Sequence, residues 1–387
     1  MKLLLLLAEF LDSRPKSGRR RPNSLQTWLL TRPATERSRN QRAPASPDSR
    51  WSAAVPEDRD LLLPRFPAVM LFSSMFAAFA SSACVPDFDD ESSRITGTRV
   101  LAIRAFPAEA AKNQKVELTA LIATPDGSES EVPAWSLCVD RKPLSELGPV
   151  SPRCLASPAS EPEVVEGLGE GLEVTAALPA KVCQLFGPER PDPKAGEPSG
   201  RPVDPDSTGG FYQPVLSWLD GTAVLGAIRL DCPLSGATRE ATVSYNERHR
   251  ANQNPELEAF ELVRSDGRSA ELDAEEVPIL APGEQVRLRA RFGDCVDAET
   301  CRGAEDYVLY DREAERLEER TETLVVSWFS SSGELDEERS DRDRAEELPA
   351  ATNTFTAPSE PGESRLWAVV RDDRGGVSWR AGRLRVD

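Results

Sequence analysis

Histidine is almost missing from this chain of 387 residues, which holds only His249. Nucleophilic hydrolysis by a Ser-His-Asp or Cys-His set would have to run through that one side chain. It stands in NERHRANQN, among charged and polar residues, and reads as a solvated linker histidine. GxSxG, the P-loop, HExxH and a GxGxxG after a strand are all absent. No CxxC pair occurs and His249 is far in sequence from the cysteines, which sets zinc aside. Helix-favouring runs are few, whereas proline is frequent at 32 residues. Together these absences argue against an enzyme.

Charge of one sign is also scarce where it would matter for nucleic acid. Residues 1–65 carry 13 Lys+Arg and 7 Asp+Glu, and 66–84 carry none. Residues 85–387 hold 34 basic and 58 acidic side chains, a net charge of −24. A surface this acidic repels phosphate backbones and excludes a nucleic-acid partner. With so many carboxylates, a pair suited to glycoside hydrolysis carries no information. Acidity keeps an exported protein soluble.

The longest uncharged stretch opens with FPAVMLFSSMFAAFASSA, 66–83, with Arg65 before it and Cys84 after it. A basic flank, a short apolar core and small residues before a cut describe a secretory signal. Its serines and alanines make it weak as a permanent span. Ser81-Ser82-Ala83-Cys84 resembles a bacterial lipobox, although Ser81 stands where Leu is usual. The resemblance implies a lipid on Cys84 and a polar tether after it, 85–96. Val85 in place of Asp favours the outer membrane by analogy with bacterial sorting rules. A soluble periplasmic product is the other outcome. Residues 1–64 lack a periodic apolar pattern and read as a disordered extension. Translation starting near Leu61–Met70 accounts for them equally well.

The mature chain reads as all-β. Val116, Leu118 and Ala120 alternate with polar residues in KVELTALIA, as do Val286, Leu288 and Ala290 in QVRLRARF. AKNQKVELTA (111–120) aligns without gaps to APGEQVRLRA (281–290), an internal repeat. Each copy precedes a tryptophan strand, carrying Trp135 in one case and Trp328 in the other. Asp220-Gly221 and Asp372–Gly376 mark closing hairpins. These features resemble the immunoglobulin-like or PKD-like domains that occur in tandem on bacterial cell-surface lipoproteins. The resemblance implies two β-sandwiches, at 97–247 and 254–387, after a signal and lipobox at 65–84. Long insertions interrupt both, at 139–170, 184–211 and 294–320. ANQNPELEAF (251–260) reads as the link between them.

Six cysteines remain besides Cys84: Cys138, Cys154, Cys183, Cys232, Cys295 and Cys301. In an oxidising compartment an even number points to three disulfides. The expected pairs are Cys138–Cys154, Cys183–Cys232 and Cys295–Cys301. Calcium is the one cofactor with a candidate loop: Asp204, Asp206 and Thr208 take positions 1, 3 and 5, and Gly209 takes position 6. Against it, the twelfth position is Val215 and Pro205 stiffens the loop. Asp294, Asp297, Glu299, Glu305 and Asp306 form a second acidic loop. Trp367 and Trp379 are candidates for stacking on a sugar ring if they face outward together. A bulge at Gly382 is expected, to let Trp379 and Leu384 face opposite ways. The functional expectation is a lipid-anchored envelope protein acting as a non-catalytic binding or structural module. A calcium-dependent carbohydrate-binding or adhesion protein is the alternative, and an exported hydrolase is third. Membrane contact through the lipid is expected, and a protein or glycan partner is left open.

Overall fold

The structure, a computed structural model, describes residues 92–128, 132–141, 150–156, 162–193, 200–293, 303–342 and 350–387. Cys84, the signal and the extension before it lie outside these residues. So do Cys295, Cys301, Asp294, Asp297 and Glu299.

The fold is all-β. The first sandwich is built from β1 (Arg99–Phe106), β2 (Glu109–Ala111), β3 (Lys115–Ala123), β4 (Ala134–Cys138), β5 (Val165–Glu170), β6 (Glu173–Ala177), β7 (Tyr212–Leu219) and β8 (Thr222–Asp231). One sheet has the order β1-β3-β6 and the other β2-β8-β7-β4-β5. A short α1 (Val182–Leu185) lies in the long connection, and α2 (Arg239–Arg248) follows the last strand. The second sandwich contains β9 (Leu257–Val263), β10 (Ser269–Glu271), β11 (Ile279–Leu280), β12 (Gln285–Phe292), β13 (Asp306–Asp311), β14 (Arg316–Thr321), β15 (Leu324–Ser330), β16 (Glu334–Leu335), β17 (Arg339–Arg342), β18 (Ala350–Thr356), β19 (Gly362–Asp372) and β20 (Val377–Val386). Its sheets run β10-β9-β12-β18-β16 and β11-β20-β19-β15-β17, and β13 and β14 form a separate hairpin.

The repeat in sequence is a repeat in structure. Val116, Leu118 and Ala120 of β3 are buried in the first core, as are Val286, Leu288 and Ala290 of β12 in the second. In both sandwiches a short strand joins the last strand in parallel, β2 on β8 and β11 on β20. Trp135 and Trp328 are 2% and 1% exposed at the centres of the two cores. Their indole N–H groups donate to Gly171 O (2.8 Å) and Ser340 Oγ (2.9 Å), so these large rings are buried without a stranded donor. Disulfides Cys138–Cys154 and Cys183–Cys232 staple the connections of the first sandwich to its core.

Three features depart from expectation. Residues 239–248, read as the end of an all-β first sandwich, are helical. Thr238 caps the helix by accepting from Ala241 N at 3.1 Å, Glu240 lies in the first turn and Arg248 in the last. No bulge interrupts β20 at Gly382, because the β19–β20 pairing is continuous from Gly362↔Val386 to Arg371↔Val377. Trp379 and Leu384 already occupy odd and even positions, which period-two alternation places on opposite faces. Gly382 instead admits Leu272, whose Cβ and carbonyl oxygen would lie 2.4 and 2.8 Å from a side-chain carbon there. Finally, Trp367 and Trp379 do face outward from their sheet, but the first sandwich covers that face. Trp367 is 6% exposed and shares a buried cluster with Ile95, Leu101, Leu121, Ala123 and Val369, with Trp379 packed at its edge. The guanidinium of Arg104 lies 4.7 Å from the Trp379 ring centre.

Candidate functional site at the domain junction

Beside this apolar contact, β2, β8, the segment after α2 and two loops of the second sandwich converge on a buried set of charges. The parallel register Glu109↔Arg229 brings one carboxylate and one guanidinium together on neighbouring strands. Arg229 Nε lies 3.3 Å from Glu109 Oε2. His249, the C-cap of α2, presents Nε2 at 3.1 Å to Glu109 Oε1. Asn252 N–H donates to Glu109 Oε2 at 2.9 Å. His249 is therefore no solvated linker residue: its side chain is 19% exposed and its ring stacks on Tyr245 with centroids 5.0 Å apart.

Arg374, in the turn between β19 and β20, crosses the junction. Its Nη2 meets Glu109 Oε2 at 3.3 Å and donates to Arg250 O at 2.7 Å. Its Nη1 meets Glu322 at 3.1 Å and Glu305 at 3.6 Å. Glu305 and Glu322 bracket the β13–β14 hairpin, where the Glu305 N–H donates to Glu322 Oε2 and the Gln253 N–H to Glu305 Oε2. The guanidinium, 1% exposed, also stacks 4.8 Å from the Tyr307 ring centre. Asp372 closes the turn by accepting from Arg374 N–H (2.9 Å) and Gly376 N–H (2.7 Å). Its other oxygen, Oδ2, has no hydrogen-bond partner among the described residues.

The carboxyl groups respond oppositely to these surroundings. Burial pushes Glu109 upward. The hydrogen bond from His249, the charges of Arg229 and His249 and the Asn252 N–H outweigh it and bring the group down to about 2. Burial pushes Glu322 well above the usual carboxylate range and the charge of Asp372 adds to this, against the pull of Arg374. Burial likewise raises Asp372, against the N–H donors of Gly376 and Arg374, and raises Glu305. The cluster thus pairs a firmly ionised carboxylate of the first sandwich with acids of the second that resist ionisation.

The calcium candidate resolves differently. Asp206 Oδ1 accepts from Thr208 N–H, Thr208 Oγ1 and Gly210 N–H at 2.9, 2.8 and 2.8 Å. Thr208 is buried and its hydroxyl accepts from Arg229 Nη1 at 2.8 Å. Asp204 pairs with Arg201 and lies 3.9 Å from Arg312. Backbone amides take Asp206 Oδ1 and guanidinium groups flank Asp204, so the loop forms an Asx-type turn anchored to the cluster. Metal-type donors converge elsewhere: Glu109, Asp231 and His249 each offer an atom within 4.8 Å of the other two.

The two halves of the cluster lie far apart in sequence, 265 positions for Glu109 and Arg374. No pattern in either repeat signals their contact. The single histidine was the one visible pointer. No family model matches the chain, and no curated protein matches it. Among solved structures, native alpha-2-macroglobulin of E. coli is similar over 77% of this chain and 17% of that one, at 11% identity and TM-score 0.19. Latent PorU of Porphyromonas gingivalis is similar over 75% and 24%, at 13% identity and TM-score 0.17. The adhesin InvE of Yersinia pseudotuberculosis is similar over 74% and 58%, at 8% identity and TM-score 0.19. The chain spans between 17 and 58% of the length of these proteins, and TM-scores this low carry nothing about function.

Proposed function

We propose that this chain is a lipid-anchored envelope protein whose two sandwiches serve as one rigid, non-catalytic binding or structural module. The junction is the observation that carries this reading. An apolar cluster and a buried charge network both cross it, and interfaces of this kind suppress the domain motion otherwise expected between sandwiches. Further backbone pairing tightens it. Ile95 N–H donates to Ser330 O at 2.8 Å and Ser330 N–H to Ser93 O at 3.0 Å. A rigid pair suits a part that holds a surface at a fixed distance and angle from an anchor. The alternative is a calcium-dependent carbohydrate-binding or adhesion protein, against which the Asp206 turn weighs because backbone amides already take Asp206 Oδ1.

The anchor is tested at Cys84. In a bacterial host, Cys84→Ser is expected to abolish incorporation of a labelled fatty acid. It should also move the protein from the membrane fraction to the soluble one. Unchanged acyl labelling and partitioning would overturn the anchored reading. Among the described residues no helix is long and apolar enough to cross a membrane.

A further inference from the structure

We propose that Glu109, Asp231 and His249 form a binding site for a divalent transition cation of the zinc, cobalt and nickel class. The donor set selects the class. An imidazole nitrogen with carboxylate oxygens suits these borderline metals, whereas calcium and magnesium prefer oxygen alone. The geometry admits an ion: Nε2 of His249 and Oε1 of Glu109 are 3.1 Å apart. Two ligand atoms at that spacing, each about 2.0–2.2 Å from a metal, subtend close to a right angle there. The Asp231 carboxylate completes three donors within 4.8 Å of one another.

The surroundings hold these ligands in place. Parallel pairing of β2 with β8 sets Ala111 opposite Asp231 and Glu109 opposite Arg229, so both carboxylates stand on rigid strands. His249 is fixed by its N–H to Tyr245 O at 2.7 Å and by stacking on the Tyr245 ring. Glu109 Oε2 is occupied by Asn252, Arg229 and Arg374, which leaves Oε1 facing the histidine. Outer partners of this sort orient a ligating carboxylate. An ion has a way in, since Asp231 is exposed and His249 partly so. The competing arrangement is a His–Glu pair bridged by a proton alone.

The test uses the full chain, free of any histidine tag and stripped with a chelator. It is titrated with zinc by calorimetry and with cobalt by visible absorption. One ion per chain is expected above whatever other groups take up, with a cobalt spectrum showing nitrogen and oxygen ligation. His249→Ala should remove that increment. Asp231→Asn alters an exposed side chain that supports neither core, and should weaken binding at least about 10- to 100-fold, as lost partners of a metal site do. If His249→Ala does not fold, Asp231→Asn alone decides. Zinc uptake unchanged in Asp231→Asn, or no saturable uptake by the parent at millimolar zinc, overturns the site.

Discussion

Asp372 shows how much a single buried carboxyl can carry. One oxygen takes two backbone N–H groups and lies 3.4 Å from Asn252 Nδ2, while the other has no partner among the described residues. Burial raises this carboxyl above the ordinary aspartate value of about 3.9. The folded chain therefore binds more protons than the unfolded one above that value. The stability this contributes is full below about pH 4 and is lost as pH rises through the elevated folded value. Glu322, raised for the same reason and facing the same Arg374, acts in the same direction. Asp372→Asn keeps the accepting oxygen and puts a neutral amide where the unpartnered one stands. It is expected to match the parent near pH 4 and to be the more stable of the two at pH 8, measured by urea denaturation at both. A variant less stable than the parent at pH 8 would show that the carboxylate is held ionised and needed as such.

At the scale of elements, the two copies of the repeat share a turn as well as a strand. Ala111 N–H donates to Gln114 Oε1 at 3.0 Å, and Ala281 N–H to Glu284 Oε2 at 2.9 Å. Asn113 and Gly283 hold the same place in each turn, with φ of 63° and 71°. Nothing lies within 4 Å of a side-chain carbon at Gly283, so only backbone strain opposes substitution there. Gly283→Ala should cost about 1–2 kcal/mol, the penalty of a left-handed residue with a Cβ. Asn113→Gly should be close to neutral, since Asn tolerates that region. Chemical denaturation midpoints check both, and equal losses at the two sites would show that the turns are not equivalent. Strands, hairpins and core tryptophans were legible because period-two alternation and Asp-Gly turns are local signals. The helix over 239–248 escaped because none of its residues is buried, which leaves no apolar face to read.

At the scale of the molecule, the junction was illegible for a different reason. Leu101, Leu121, Trp367 and Val369 sit on outward faces of their own sheets. In a single domain such positions read as solvent-facing or as a binding platform. Only the docking of one sandwich on the other turns them into core, and the contacts join residues far apart in sequence, 270 positions between Arg371 Nη2 and Leu101 O at 2.8 Å. His249 was misread for the same cause, because its sequence neighbours are polar while its spatial neighbours come from strands 140 residues away. The acidic composition hid the rest: one buried carboxylate among dozens of exposed ones has no local mark.

The junction also decides how the molecule unfolds. Among the described residues Arg374 is the one side chain paired with Glu109 of the first sandwich and with Glu305 and Glu322 of the second. Removing one partner of a buried ion pair typically costs about 3–5 kcal/mol, because the charge left behind has no compensation. In Arg374→Met that cost falls unevenly. Glu109 keeps Arg229, His249 and the Asn252 N–H. Glu322 loses its nearest cation and, among the described residues, keeps backbone donation from Glu305. The second sandwich should therefore weaken more than the first. The parent, whose halves share a core and a charge network, is expected to unfold in one calorimetric transition. Arg374→Met is expected to show two, the lower belonging to the second sandwich. Adding Glu322→Gln replaces an acid that burial already drives towards its neutral form, and without Arg374 still further, so the double variant should lose little beyond Arg374→Met. A single transition in Arg374→Met at the parent's melting temperature would mean that the apolar cluster alone couples the two sandwiches.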